Sequence, residues 1–192
     1  MDTFLDEVAR PTPTPGGGAV AAQVAALGAA LVEMAVGLGH RRRPDARAEA
    51  LLARVRDLRA ELVRLREADA GAFAAVLAAM ALPRDSDALR AQRRAALDRA
   101  LVEAAQVPLD VVARTRELEA EVRAADPLAL PSARSDLEVA AILLQAATRS
   151  AMVNVDVNLA AISDPELRRG VAQAAAAIGP IPRLGAGDRD GS

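Results

Sequence analysis

The 192-residue sequence contains no cysteine, tryptophan or tyrosine, only two phenylalanines and one histidine, and no lysine, so all 24 basic side chains are arginine. Without cysteine there is no disulfide scaffold, thiolate metal site or thiol nucleophile, and the chain fits a reducing compartment. A single histidine, His40, argues against a zinc site built on imidazoles, and no metal is expected. An aromatic content of 1% leaves no platform for stacking nucleobases. The formal net charge of −2 supplies no excess of positive charge to draw nucleic acid or an anionic membrane, so neither is expected as a partner. The all-arginine usage reads as genomic bias. What remains is 52% hydrophobic and 26% charged residues, the composition of a globular chain able to bury one core. A single domain is expected over 1–184, followed by a polar tail over 185–192.

One stretch, from Ala19 to Gly39, is apolar for long enough to span a bilayer. It carries Gln23 and Glu33, and much of it is alanine and glycine. A charge deep in a spanning helix costs about 2.5–3.5 kcal/mol on insertion scales, so a buried helix of a soluble bundle is expected. The first ten residues include Asp2, Asp6 and Glu7 and lack the basic start of a signal peptide, which makes the cytoplasm the expected location.

The pattern along the chain is helical throughout. A short helix over 2–9 is stopped by Pro11, and the Pro-Thr repeat to Pro15 forms a stiff strap ending in Gly16, Gly17 and Gly18. A small-residue helix over 18–38 follows and, with its many alanines, is the expected central helix. After a break at 40–44, a helix over 45–81 carries Leu51, Val55, Leu58, Leu62 and Leu65 at alternating spacings of four and three. Helical pattern resumes over 87–105, where Pro108 either kinks that helix or starts another reaching 124. A loop is expected over 126–134, then a capping box from Ser135 to Glu138 opening a helix to Ile162. Within it, 152–159 alternates with a strand-like period of two, but no partner strand exists elsewhere and helix is expected. A last helix begins at 163–166 and ends near 177. The expected fold is all-α, a multi-helix bundle of long antiparallel helices.

Several polar residues break this pattern. The stripe that starts at Leu51 runs on to Asp69, which places a carboxylate on the core-facing side. Such a group is a general acid or base, an acceptor for a ligand, the partner of an arginine, or a carboxylate wetted at the bundle edge. Asn154 and Asn158 share one helix face and end an apolar stripe, so they either hydrogen-bond an amide-rich ligand or join two helices. Pro15 to Gly18 lead into a helix start where backbone N–H groups face a ligand, or form a structural turn. His40, Arg41, Arg42 and Arg43 either complement a helix C-terminus or receive the carboxylates of an acidic substrate, with His40 as proton shuttle. Ser135 and Asp136 read as cap and dipole partner of a helix start.

Taken together, F-L-D-E-V-A at 4–9, P-T-P-T-P-G-G-G-A-V-A-A at 11–22, D-A-G-A-F at 69–73, S-D-L-E-V-A at 135–140 and N-V-D-V-N-L at 154–159 resemble the cyclodeaminase/cyclohydrolase family. The resemblance spans nearly the whole chain, in order. It implies a homodimeric all-helical enzyme acting on tetrahydrofolate one-carbon derivatives without metal or organic cofactor. One such reaction closes 5-formiminotetrahydrofolate to 5,10-methenyltetrahydrofolate with loss of ammonia. The other hydrolyses the methenyl compound to 10-formyltetrahydrofolate. Carried onto matching positions, the resemblance makes Asp69 and Asp136 candidate catalytic groups, and His40 of the basic cluster joins them as the candidate proton shuttle. Pro15, Gly16, Gly17, Gly18, Arg41, Arg42, Ser135, Asn154 and Asn158 become candidate substrate contacts. The chain departs from the family at Arg41 to Arg43, where lysines are frequent, at Ser132, where asparagine is frequent, and at Glu138, where some members have glycine. These departures bear on substrate choice. The alternative is a helical dimer that binds folate or another anion without turnover, or an interaction module.

Overall fold

Six α-helices account for most of the chain in the computed structural model, which describes residues 3–179. They are α1 (Thr3–Val8), α2 (Gly17–Arg42), α3 (Ala46–Met80), α4 (Asp87–Ala125), α5 (Arg134–Ala161) and α6 (Pro165–Ala177). No strand occurs among the described residues, and 152–159 lies within α5, as expected. The tail expected over 185–192 lies outside them.

Helices α2 to α5 form the bundle. Each packs on the next, α5 closes back on α2, and α2 meets α4 across the core. Cross-helix pairs fix the antiparallel order: Gln23 of α2 with Arg66 of α3, Arg54 of α3 with Glu121 of α4, and Thr115 of α4 with Thr148 of α5. The exposed Arg54–Glu121 pair is worth at most about 1 kcal/mol. Fully buried leucines such as Leu51, Leu62, Leu118 and Leu144 contribute about 1.5–3 kcal/mol each, so the core sets the register.

The small residues of α2 place it at the centre. Ala22, Ala25, Ala29, Val32 and Val36 have no solvent exposure, and at Gly28 a Cβ would lie 3.1 Å from the Leu144 side chain. At Gly39 it would fall 2.0 Å from the Leu128 carbonyl oxygen. Glycine at these positions lets α5 and the turn before it touch the α2 backbone. By length and apolarity α2 alone, among the described residues, matches a bilayer span, yet 56% of its apolar window is buried in the bundle. Its Glu33 is paired with Arg59 and Arg56 of α3.

Helix ends follow the sequence signals at most positions. Asp45 caps α3 through Arg47 N–H at 2.8 Å, Ser86 caps α4 through Leu89 N–H at 3.2 Å, and Asp164 caps α6 ahead of Pro165. Three expectations are corrected or decided. The break expected at His40 falls at Arg43–Pro44 instead. His40, Arg41 and Arg42 form the last turn of α2, where cations oppose the negative helix end. The capping box at Ser135 does not form, because the 3₁₀ turn Pro131–Ala133 winds directly into α5. Ala133 holds the cap position without a side-chain bond, and Ser135 is an exposed residue of the first turn. Between the two possibilities at Pro108, neither a break nor a new start occurs, and α4 runs through it for 39 residues.

Candidate active site

The four-helix packing ends where α2 starts. Opposite Gly17 and Gly18, α3 has reached Asp69 and continues to Met80, while α4 and α5 also run past this level. A cavity of about 190 Å³ opens there, walled by Asp69 and Phe73 of α3, Ala104 and Pro108 of α4, and Asn154 and Asn158 of α5. The strap closes it with Pro13, Thr14 and Gly16. Upstream of the strap, Phe4 of α1 lies under the Arg66 guanidinium, 5.3 Å from centroid to cation, and so ties α1 to α3.

Asp69 is half-buried at the mouth of α2. Burial pushes its carboxyl above the usual carboxylate range, and a hydrogen bond from the Ala19 N–H pulls the other way without cancelling that rise. The donor is one of the free N–H groups of the first turn of α2, so the helix end holds the carboxylate in place. Among the three glycines only Gly18 is sterically required, because a Cβ there would sit 2.1 Å from Asp69 Oδ1. At Gly17 the same atom would be 3.5 Å from Asn154 Nδ2, and at Gly16 3.5 Å from the Pro13 carbonyl oxygen, both ordinary contacts. Pro15 follows a cis peptide bond and is not part of the cavity wall.

Both asparagines use their NH₂ groups on backbone carbonyls. Asn154 Nδ2 donates to Ser150 O at 2.9 Å, and Asn158 Nδ2 donates to Ala104 O at 3.2 Å. Their side-chain oxygens are left for other donors, which makes the cavity rich in acceptors: one carboxylate and two amide oxygens. Such a lining matches a ligand that carries N–H groups or a delocalised positive charge.

The other candidates lie elsewhere. His40 and Arg42 border a second cavity of about 420 Å³ with Arg43 and the 127–131 turn. At 1.5 Å per residue along α2, His40 is roughly 33 Å from Gly18. His40 Nδ1 accepts from the Asp45 N–H at 3.2 Å and stitches the α2–α3 turn. Asp136 is half-buried near the start of α5, roughly 27 Å from Asn154 along the helix. The structure thus brings together Asp69, Gly16 to Gly18, Asn154 and Asn158. It keeps His40, Arg41, Arg42, Ser135 and Asp136 at the opposite end of the bundle.

Three residues with a part here escape sequence reasoning. Phe73 and Ala104 line the cavity without any polar signal, although Phe73 belongs to the 69–73 motif. Asp98 is 4% exposed and accepts from Ser163 N–H at 2.7 Å, Ser163 Oγ at 2.8 Å and Asp164 N–H at 3.2 Å, clamping the α5–α6 turn. Nothing in the local pattern of α4 separates Asp98 from surface carboxylates.

The sequence profile of the formiminotransferase-cyclodeaminase family matches residues 1–177. The formimidoyltransferase-cyclodeaminase of Sus scrofa is 36% identical over 177 residues, covering 90% of this chain and 33% of that protein. The methenyltetrahydrofolate cyclohydrolase of Methylorubrum extorquens is 36% identical over 168 residues, covering 85% of this chain and 81% of that one. The crystal structure of formiminotetrahydrofolate cyclodeaminase from Thermotoga maritima superposes with a TM-score of 0.79 at 31% identity, covering 91% of this chain and 85% of that one. The chain spans about a third of the length of the mammalian relatives, and most of the bacterial cyclohydrolase. Profile, relatives and fold agree over most of the sequence, and the chain belongs to the formiminotransferase-cyclodeaminase family.

Proposed function

We propose that this protein is a folate one-carbon enzyme whose active site is the cavity at the start of α2. It acts either as a 5-formiminotetrahydrofolate cyclodeaminase or as a 5,10-methenyltetrahydrofolate cyclohydrolase. The observation that carries this reading is Asp69, a carboxylate on the wall of an acceptor-lined cavity in a chain of this family. In the first reaction folate N10 attacks the formimino carbon on N5 and ammonia leaves. In the second, water attacks the methenyl carbon and the C–N5 bond breaks. Both pass through a tetrahedral carbon between nitrogens, and both need one proton removed from the nucleophile and one delivered to the leaving nitrogen. A carboxyl with a raised pKa serves both steps, and Asn154 and Asn158 accept from the substrate's N–H groups. Beyond the bonds made and broken within the substrate, both reactions ask only for proton transfers, so the reading includes no metal or organic cofactor, and it keeps the cytoplasm as the setting.

The same reading includes a homodimer. Leu27 and Met34 of α2 and Val139, Ile142, Val153 and Val157 of α5 are apolar yet 41–64% exposed, and the two helices lie side by side. A second copy on this face covers them. His40, Arg41, Arg42, Ser135 and Asp136 stand too far from Asp69 to meet its substrate within one chain. In this reading they enter only across that interface, with the arginines receiving the substrate's carboxylates.

The test uses absorbance in the methenyltetrahydrofolate band. Purified protein is offered 5-formiminotetrahydrofolate in one cuvette and 5,10-methenyltetrahydrofolate in another. A rise in the first identifies the cyclodeaminase, and a fall faster than buffer in the second identifies the cyclohydrolase. No change in either with folded protein removes the catalytic reading in favour of a binding module.

A further inference from the structure

The α4 wall of the cavity contains a proline in the interior of a 39-residue helix. Proline has no N–H, so the carbonyl four residues earlier, that of Ala104, loses its partner within the helix. Asn158 of the neighbouring α5 supplies a substitute, its Nδ2 donating to Ala104 O at 3.2 Å. All three residues line the same cavity as Asp69.

The consequence lies at the other end of the amide. A primary amide carries its donors and its acceptor on opposite sides, so anchoring the NH₂ on Ala104 sets the direction of Oδ1. Among the described residues no buried side-chain nitrogen or oxygen lacks a partner, and the side-chain hydrogen bond of Asn158 runs through Nδ2. Its Oδ1 is therefore open rather than sealed in the core. A neutral amide hydrogen bond is modest in net energy, but it decides which of two chemically opposite faces the ligand meets.

We infer that Pro108 is a positioning residue of this site. By withholding its N–H from Ala104, it locks the Asn158 amide with Oδ1 as an acceptor for an N–H group of the substrate. An intact α4 would satisfy Ala104 internally and leave the amide free to present either face. The inference rests on the folate reading for the identity of the ligand, but the orientation of the amide stands apart from it.

The test is a double-mutant cycle of Pro108→Ala and Asn158→Asp, read by calorimetric titration with 5-formyltetrahydrofolate and by KM and kcat. Pro108→Ala restores a backbone N–H to Ala104 and releases the amide. Affinity then falls on the order of tenfold, the equivalent of one hydrogen bond, with KM rising more than kcat changes. Asn158→Asp alone faces a carboxylate with the unpaired Ala104 carbonyl and weakens binding further. In the Pro108→Ala background the same substitution recovers affinity, because the carbonyl is satisfied and a carboxylate accepts in either orientation. Such a reversal of sign is not expected if Asn158 merely joins two helices.

Equal effects of Asn158→Asp in both backgrounds, or an unchanged affinity in Pro108→Ala, overturn the inference. The side-chain amide signals of Asn158 in a ¹⁵N–¹H spectrum supply a readout independent of folate. They move towards free-amide values in Pro108→Ala if the proline holds the amide, and staying in place overturns the claim. Absence of 5-formyltetrahydrofolate binding by the unmodified protein would count against the folate reading, and the spectrum would still decide the role of Pro108.

Discussion

Asp69 Oδ1 occupies the space that a side chain on Gly18 would need: an ideal Cβ there lies 2.1 Å from Oδ1 and 2.9 Å from Cγ. The glycine at the start of α2 and the carboxylate two thirds of the way along α3 are thus two halves of one arrangement, with the Ala19 N–H holding the acid in place.

Replacing either half separates catalysis from folding. Asp69→Asn keeps the size and removes the proton acceptor, so turnover falls by about 10²–10⁴-fold, the usual contribution of a positioned acid or base. Gly18→Ala displaces the carboxylate by contact, and turnover falls although the Asp69 carboxyl remains. Both variants keep a cooperative melt, since neither change removes a side chain from either of the two buried apolar clusters. Single-turnover rates beside thermal melts check this, and an unchanged rate in Asp69→Asn would take the residue out of the mechanism.

The raised pKa of Asp69 fixes the sign of a pH effect on stability. The folded protein holds this proton to a higher pH than the unfolded chain, whose carboxyl titrates near 3.8. Between 3.8 and the raised value the folded state therefore binds more protons, and this group lowers stability as pH rises through that window, with no further change above it. Asp69→Asn removes that fall. Denaturant midpoints for the two proteins across the acid range should converge at low pH, separate through the window and stay apart above it, with the variant the more stable.

Asp98 makes a structural counterpart. Its buried carboxylate holds two backbone N–H groups and the Ser163 hydroxyl. Asp98→Ala leaves these donors without their acceptor and costs about 2–3 kcal/mol. That corresponds to a fall in Tm of roughly 5–10 °C for a domain of this size. Hydrogen exchange should localise the loss to α6 and the turn before it, and uniform exchange would refute the clamp.

The proposed dimer gives two linked outcomes. Ile142→Asp places a charge in the middle of the apolar face, and light scattering at micromolar concentration should report a monomer that has lost turnover. Mixing inactive Asp69→Asn with inactive Arg42→Ala should restore activity if the arginine acts across the interface. Random re-pairing then gives about a quarter of the wild-type rate, since half the dimers are mixed and each holds one intact site. No recovery in a mixture shown to exchange subunits would confine Arg42 to the end of α2.

How much of this was legible follows from the range of each interaction. Helix identity, the stripe on α3, the caps at Asp45, Ser86 and Asp164, and the anomaly at Asp69 are local patterns, carried by residues within a few turns of one another. The misplaced boundaries have local competitors: 3₁₀ geometry at 131–133 overrode the capping box at Ser135. At 40–42 the helix continued because Pro44, not the arginines, ends it. Pro108 could be read either way because its effect depends on whether a donor from another helix meets the freed carbonyl, and Asn158 is 54 residues from Ala104.

Periodicity, capping and side-chain chemistry are written locally, so the all-helical chain, the order of its helices and the residues able to carry proton transfer are legible in the residues alone. That Asp69, Gly18, Asn154 and Asn158 share one cavity while His40 and Asp136 stand at the far end follows from how the helices pack. Which helix starts beside which depends on antiparallel packing and on α2 being shorter than α3 and α4, and a helix meets its neighbours at distances no local pattern encodes.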